Sequence, residues 1–206
     1  EEVRLLRRSG CFALFFGGES GSTKILESIR KRNDIGDCHV AVDRCRQAGI
    51  DAVFSFMVGF PGETREDVAR TMDLIDALAR RTHRFRCKAI WRLCPFPGTD
   101  VFEDAVRAGY EPPSSLEGWD GYGYLSIPQL PWLSRARFRE YAIVNGITSY
   151  EIVNGWRFRM PTRPRQVLYD IVTANARMRW RMRLFRWAPE WRLRNFLFQE
   201  WFGKGT

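Results

Sequence analysis

From Cys11 to Gly109 the chain alternates short apolar runs with stretches whose apolar residues recur every three or four positions. The run Cys11–Phe16 (CFALFF) ends at Gly17-Gly18, and its continuity predicts a parallel strand buried on both faces. The chain thus opens on a strand. From Ser22 to Arg32 the spacing of Ile25, Leu26 and Ile29 predicts a helix, with Ser22 as its cap. A second helix over Asp37–Ala48 places Val40, Ala41, Cys45 and Ala48 inward and stops at Gly49. Ala52–Val58 (AVFSFMV) reads as a strand and runs into the loop Gly59-Phe60-Pro61-Gly62. Thr64, with Asp67 three residues on, is a capping box for a helix over Arg65–Arg81 whose inward face carries Val68, Met72, Ile75 and Leu78. Phe85–Leu93 is a third strand, its basic residues implying a less fully buried one, and Thr99 caps a short helix ending near Gly109. Strands alternating with helices predict an α/β fold with a parallel sheet and right-handed crossovers.

In such folds the chemistry lies at the carboxyl ends of the strands. Here those ends are Gly17–Ser22, Gly59–Glu63 and Leu93–Thr99, each rich in Gly or Pro, which permits close approach of backbone to a ligand. Three strand–helix units do not close a barrel.

Composition changes the picture in one respect. Of 206 residues, 45% are hydrophobic and 28% charged, which excludes a disordered or collagen-like chain. No apolar run reaches the roughly 18 residues of a membrane span. The start EEVRLLRRSG is charged and no apolar segment follows it, so it does not read as a secretory leader. Five cysteines at irregular spacing predict an intracellular chain without structural disulfides. The charge, however, is segregated. Residues 156–206 hold 12 Lys+Arg against Asp170, Glu190 and Glu200, which accounts for the whole net charge of +9. The same stretch holds Trp156, Trp180, Trp187, Trp191 and Trp201, five of the eight tryptophans. Three segments follow: an α/β part over 1–110, a loop-rich cap and helix over 111–155, and a basic, Trp-rich helical tail over 156–206.

The strand-end motifs have a recognisable pattern. GGESGS (Gly17–Ser22) before an Ile-Leu helix, FMVGFPGETREDVARTMDLI (Phe56–Ile75), and PFPGTDVFEDA (Pro95–Ala105) with GYEPPSSLEGW (Gly109–Trp119) resemble the fourth, fifth and sixth strand ends of radical S-adenosylmethionine enzymes. Their order and spacing resemble the branch that holds cobalamin-binding members and methylthiotransferases, over about Cys11–Trp119. The resemblance implies the second half of a partial (β/α)6 barrel followed by a mainly helical extension. It also implies an enzyme that cleaves S-adenosylmethionine reductively at a [4Fe–4S] cluster, with cobalamin as a further cofactor. One departure decides what this chain does alone. The family's CxxxCxxC run is absent, and Cys11, Cys38, Cys45, Cys87 and Cys94 do not have cluster spacing. The cluster half of the barrel and any cobalamin domain are therefore expected on sequence outside this chain, which by itself is expected to be inactive.

The resemblance carries cofactor roles onto Glu19, Ser20, Met57, Val58, Gly59 and Leu93. Glu19 and Ser20 would accept hydrogen bonds from ribose hydroxyls or the methionine ammonium. Met57, Val58 and Gly59 would lie along the adenine, and Leu93 would offer backbone groups to its edge. Glu63 reads as a brace of its own loop rather than a ligand. No metal-ligating set and no catalytic residue is assigned. Trp119, Tyr122 and Tyr124 read either as an aromatic lid or as ordinary packing.

In the tail, Arg177–Leu184 (RMRWRMRL) alternates like a strand but fits a helix better, with Met178, Met182 and Phe185 on one stripe. Arginine interleaved with tryptophan suits an anionic membrane surface and, less well, nucleic acid; arginines solvating a packed helix are the plainer account. The expected substrate is a small or lipid-like molecule, and the expected location the cytoplasm, peripheral on the inner face of the membrane. Two alternatives stand beside this reading: a tRNA methylthiotransferase relative, and a non-catalytic, membrane-associated barrel remnant.

Overall fold

The computed structural model describes residues 1–120, 122–123, 129–148, 161–186 and 188. A short helix, α1 (Glu2–Arg8), precedes the first strand, so the chain does not open on a strand as its apolar pattern predicts. None of its residues is fully buried, and Val3 packs against the core among mostly charged, helix-favouring residues. Then come β1 (Ala13–Glu19), α2 (Thr23–Ser28), α3 (Ile35–Ala48), β2 (Asp51–Val58), α4 (Arg65–Arg81) and β3 (Phe85–Arg92). The remaining elements are α5 (Asp100–Arg107), a 3-10 turn at Glu117–Trp119, α6 (Arg135–Thr148) and α7 (Arg163–Met182).

The strands form a three-stranded parallel sheet in the order β1-β2-β3, with Ala13 opposite Asp51 and Ala52 opposite Phe85. This α/β arrangement agrees with part of a radical S-adenosylmethionine barrel. Strict alternation along β2 buries Ala52, Phe54, Phe56 and Val58 on one face, where they meet Val42 and Cys45 of α3 and Val68, Met72, Ile75 and Leu78 of α4. Phe16, Phe54 and Phe85 run across that face with ring centroids 4.9 and 5.8 Å apart. Each such ring contributes about 1.5–3 kcal/mol by its removal from water.

The opposite face is more open, which corrects the expectation that Cys11–Phe16 is buried on both sides. Phe12 and Phe15 are 76% and 69% exposed, because the helices packed on the sheet lie on the other side and β1 is an edge of the sheet. Lys88 Nζ lies 5.3 Å from the Phe15 ring.

Helix boundaries follow local chemistry. Asp34 and Asp37 form a reciprocal capping box for α3, and Thr64 and Asp67 form one for α4. Within α3, Val40 is exposed and Cys38 and Val42 take the inward positions instead. The helix predicted over Ser22–Arg32 is less than two turns long: α2 ends at Ser28, and Arg30 has a positive φ of 52°. Residues of all three segments share one hydrophobic core, since Leu130, Tyr141, Val144, Ala176, Trp180 and Phe185 join the sheet-and-helix cluster.

Candidate functional site

The carboxyl ends of the three strands lie side by side. Glu19 pairs with Phe56 after a bulge at Gly17/Glu19, and the Leu93 N–H donates to the Val58 carbonyl at 2.8 Å, extending the β2–β3 ladder to its end. Glu19 adopts φ 56°, in the left-handed region that non-glycine residues enter at a cost. Its Oε1 accepts from Lys31 Nζ at 3.2 Å, and its side chain stays 21% exposed.

Beyond Glu19 the loop turns away from solvent and docks on α4. The Ser20 hydroxyl is fully buried, 3.1 Å from Thr71 Oγ1, and accepts the Ser22 N–H. The Gly21 N–H donates to Thr71 Oγ1 at 2.9 Å; a Cβ at Gly21 would run into the Arg70 carbonyl, so glycine is required by close approach. Ser22 occupies the cap position of α2, but its hydroxyl makes no cap bond. It donates instead to Asp67 Oδ1 at 2.6 Å, because the buried carboxylate is the stronger acceptor. Asp67 also accepts from the Thr64 hydroxyl and N–H, at 2.7 and 2.9 Å. Burial alone would raise its pKa, but these bonds and Lys24 hold it well below the usual carboxylate range.

The second loop is braced from within. Gly59 has φ 97°, its N–H donates to Glu63 Oε2 at 2.6 Å, and its carbonyl accepts from Trp132 Nε1 at 2.9 Å. Glu63 is buried and also accepts from the Tyr141 hydroxyl at 3.1 Å. Burial pushes its pKa up to about 7, against the lowering pull of those two bonds and of Arg137. Glu63 is thus the loop brace its sequence position suggests.

Of the six residues singled out for cofactor contact, Glu19 and Met57 keep partly open side chains. Val58 and Leu93 are buried in the core, the polar groups of Gly59 are bonded within the protein, and Ser20 faces α4. Sequence reasoning missed Asp67 and Trp132. Asp67 was legible only as half of a capping box, and nothing near Trp132 in sequence points to Gly59.

Beside the third strand end, Tyr122 donates to the Pro95 carbonyl at 2.7 Å, and its ring packs on Trp119 at 4.7 Å and on Phe96 at 5.7 Å. These aromatics pack on one another and on the Pro95 loop; Tyr124 lies outside the described residues.

An iron–sulfur cluster does not fit the cysteines of this chain. Cys38, Cys45, Cys87 and Cys94 are buried and Cys11 half-buried; Cys38 and Cys45 share α3 and the others lie elsewhere in the fold, and burial pushes the thiols of Cys38 and Cys87 up to about 11 and about 12. Among the described residues no three His, Cys, Asp or Glu converge as metal ligands. For S-adenosylmethionine the fit is narrower but present, through the Glu19 carboxylate and the half-open side of β2 at Met57.

Comparison with known proteins agrees with this architecture. Residues 1–75 match the family model of the Radical SAM superfamily. An uncharacterized methyltransferase of Pyrococcus horikoshii is 34% identical over 104 residues, 50% of this chain and 22% of its own length. The tRNA-2-methylthio-N(6)-dimethylallyladenosine synthase of Rickettsia bellii is 40% identical over 83 residues, 39% of this chain and 18% of its own length. The enzyme of the same name in Acidithiobacillus ferrooxidans is 47% identical over 62 residues, 29% of this chain and 14% of its own length. The matched stretch therefore spans between a seventh and a quarter of these relatives.

Proposed function

We propose that this chain is the second half of the catalytic barrel of a radical S-adenosylmethionine enzyme. The observation that carries the reading is the juxtaposition of the Glu19 and Gly59 strand ends at one edge of a parallel sheet, within the stretch matched to the superfamily. When bound, S-adenosylmethionine supplies the radical precursor. The residues of this chain bind and orient it: Glu19 accepts hydrogen bonds from its hydroxyl or ammonium groups, Met57 packs on an apolar part, and Glu63 holds the Gly59 turn in place. The [4Fe–4S] cluster would be held by a separate barrel half, a reading that the burial of Cys38, Cys45, Cys87 and Cys94 supports. Cobalamin as a second cofactor and a lipid-like substrate extend the proposal, on the resemblance of the strand-end motifs and on the basic tail.

The test is anaerobic turnover of the intact protein with S-adenosylmethionine and a strong reductant, following 5′-deoxyadenosine and methionine by chromatography. Formation of both supports the reading, and formation of neither removes it. An absorption spectrum of the purified protein decides the cobalamin extension, because a bound corrinoid absorbs in the visible whatever the activity.

A second reading rests on the names of the relatives. Two of them are tRNA methylthiotransferases, and the basic tail would suit a polyanion. Incubation with hypomodified tRNA, followed by nucleoside analysis, separates this activity from action on a small substrate.

A further inference from the structure

We infer that the outer face of α7 docks on an anionic membrane surface. The helix has two faces that sequence periodicity alone does not separate. Tyr169, Ala176 and Trp180 are buried. The Trp180 indole N–H donates to Asp76 Oδ1 at 2.7 Å, and Arg183 bonds Asp73 and Asp76 at 2.6 and 3.0 Å, which seats this face on α4. At 3.6 residues per turn, Val167, Ile171, Ala174, Met178 and Met182 fall within an arc of about 80° on the opposite side. All five are exposed, with Val167 58%, Ile171 60%, Met178 47% and Met182 59% open. Among the described residues nothing covers this stripe. The stripe predicted from sequence joined Met178 and Met182 to the buried Phe185; the structure parts them.

The flank of the stripe supplies the charge argument. Arg163, Asp170, Arg177 and Arg181 lie along one edge of it, so that edge carries three arginines against the single carboxylate of the helix. An aliphatic stripe bordered by arginine is complementary to a bilayer surface, where side chains enter the acyl boundary and guanidinium groups meet phosphate. Two other occupants fit less well. A second copy packed antiparallel, stripe to stripe, would bring two net-positive edges together. RNA would satisfy the arginines but leave Val167, Ile171 and Met178 against a phosphate surface, and the stripe offers no aromatic ring for base stacking. This inference is independent of the proposed radical chemistry.

The test uses the intact protein and sedimented vesicles of phosphatidylcholine with or without phosphatidylglycerol. Binding is expected on the anionic vesicles only, and to weaken with added salt. Ile171→Glu and Met178→Glu should each weaken it roughly tenfold or more with an unchanged thermal melt, since both sites are exposed. Should either glutamate variant melt early, Ile171→Ser, which removes the apolar side chain without adding charge, takes its place. Vesicle binding that these variants leave unchanged overturns the inference. So does a dimer, or a tRNA complex, that the same substitutions abolish.

Discussion

The carboxylate of Glu63 reaches back to the N–H of Gly59 at 2.6 Å and closes the loop that follows the central strand. The bond spans four residues, yet it couples three elements. Gly59 sits against Leu130 and Leu133, its carbonyl is held by Trp132, and the other donor to Glu63 is Tyr141 of α6. Residues far from the loop in sequence thus fix the conformation of the strand end nearest the proposed cofactor site.

That brace has a defined pH signature. The folded-state pKa of Glu63, about 7, lies above its ordinary 4.5. The folded state therefore binds the extra proton, and Glu63 favours folding most below pH 4.5. This contribution is lost as pH rises through about 7, and the difference amounts to roughly 3 kcal/mol. Glu63→Gln keeps an acceptor for the Gly59 N–H and cannot ionise. Urea melts of the variant should show a flatter pH dependence than wild type between pH 5 and 8 and greater stability at the alkaline end. Parallel profiles for the two proteins would show that Glu63 is not buried as described.

Asp67 should behave in the opposite sense. Its pKa is depressed from 3.8, so its stabilisation is present above that value and is lost as pH falls through the depressed one. Asp67→Asn leaves the donors Ser22, Lys24 and Thr64 with a weaker acceptor and should cost about 2–4 kcal/mol at neutral pH. Ser22→Ala removes one donor and should cost about 1–2 kcal/mol. Equal losses in the two variants, measured by denaturant midpoints, would contradict the shared network.

The elements were largely legible because their determinants are local. The β2 alternation, the Thr64 capping box and the α4 face of Val68, Met72, Ile75 and Leu78 all follow from spacing, and the structure reproduces them. What failed depends on tertiary neighbours. Phe15 looks buried by its run of apolar residues, but the sheet has helices on the other side. The Ser22 hydroxyl prefers Asp67, 45 residues away, to the cap of its own helix. The outer face of α7 could not be found from periodicity alone, because two apolar stripes lie on one helix and only contact with Asp73 and Asp76 of α4 selects which turns inward. The tail tryptophans Trp156, Trp187, Trp191 and Trp201 lie outside the described residues.

Docking of α7 rests on few residues and should be separable from the core. Trp180→Ala removes a buried indole and its bond to Asp76, a loss of about 3–5 kcal/mol of local packing. Hydrogen exchange should then accelerate across Arg163–Met182, while amides of β2 keep their protection. Uniform acceleration would mean that α7 unfolds only with the whole molecule.

The 206 residues alone should take up no [4Fe–4S] cluster on anaerobic reconstitution, because four of the five cysteines are buried and, among the described residues, no three metal-ligating side chains converge. Iron quantification and electron paramagnetic resonance check this. A stoichiometric cluster signal would require a rearranged site and would remove the argument for a separate cluster half.

Glu19 is the sharpest handle on the cofactor proposal. It stands at the end of β1 with a strained backbone, a partly open carboxylate and Lys31 as its ion-pair partner. A carboxylate there gains a charged hydrogen bond from a ribose hydroxyl or an ammonium group, and Glu19→Gln keeps the shape while removing the charge. In the intact protein the substitution should weaken S-adenosylmethionine binding by about 1–3 kcal/mol, or roughly 5- to 150-fold, if the proposed function holds. Because the Lys31 pair is partly exposed, its loss should cost less than about 1 kcal/mol of stability, so affinity and folding separate cleanly. Calorimetric titration at matched cluster content, with a thermal melt beside it, reads both. Unchanged affinity would make Glu19 a partner of Lys31 alone, and would leave Met57 as the open side chain on which to look for the cofactor.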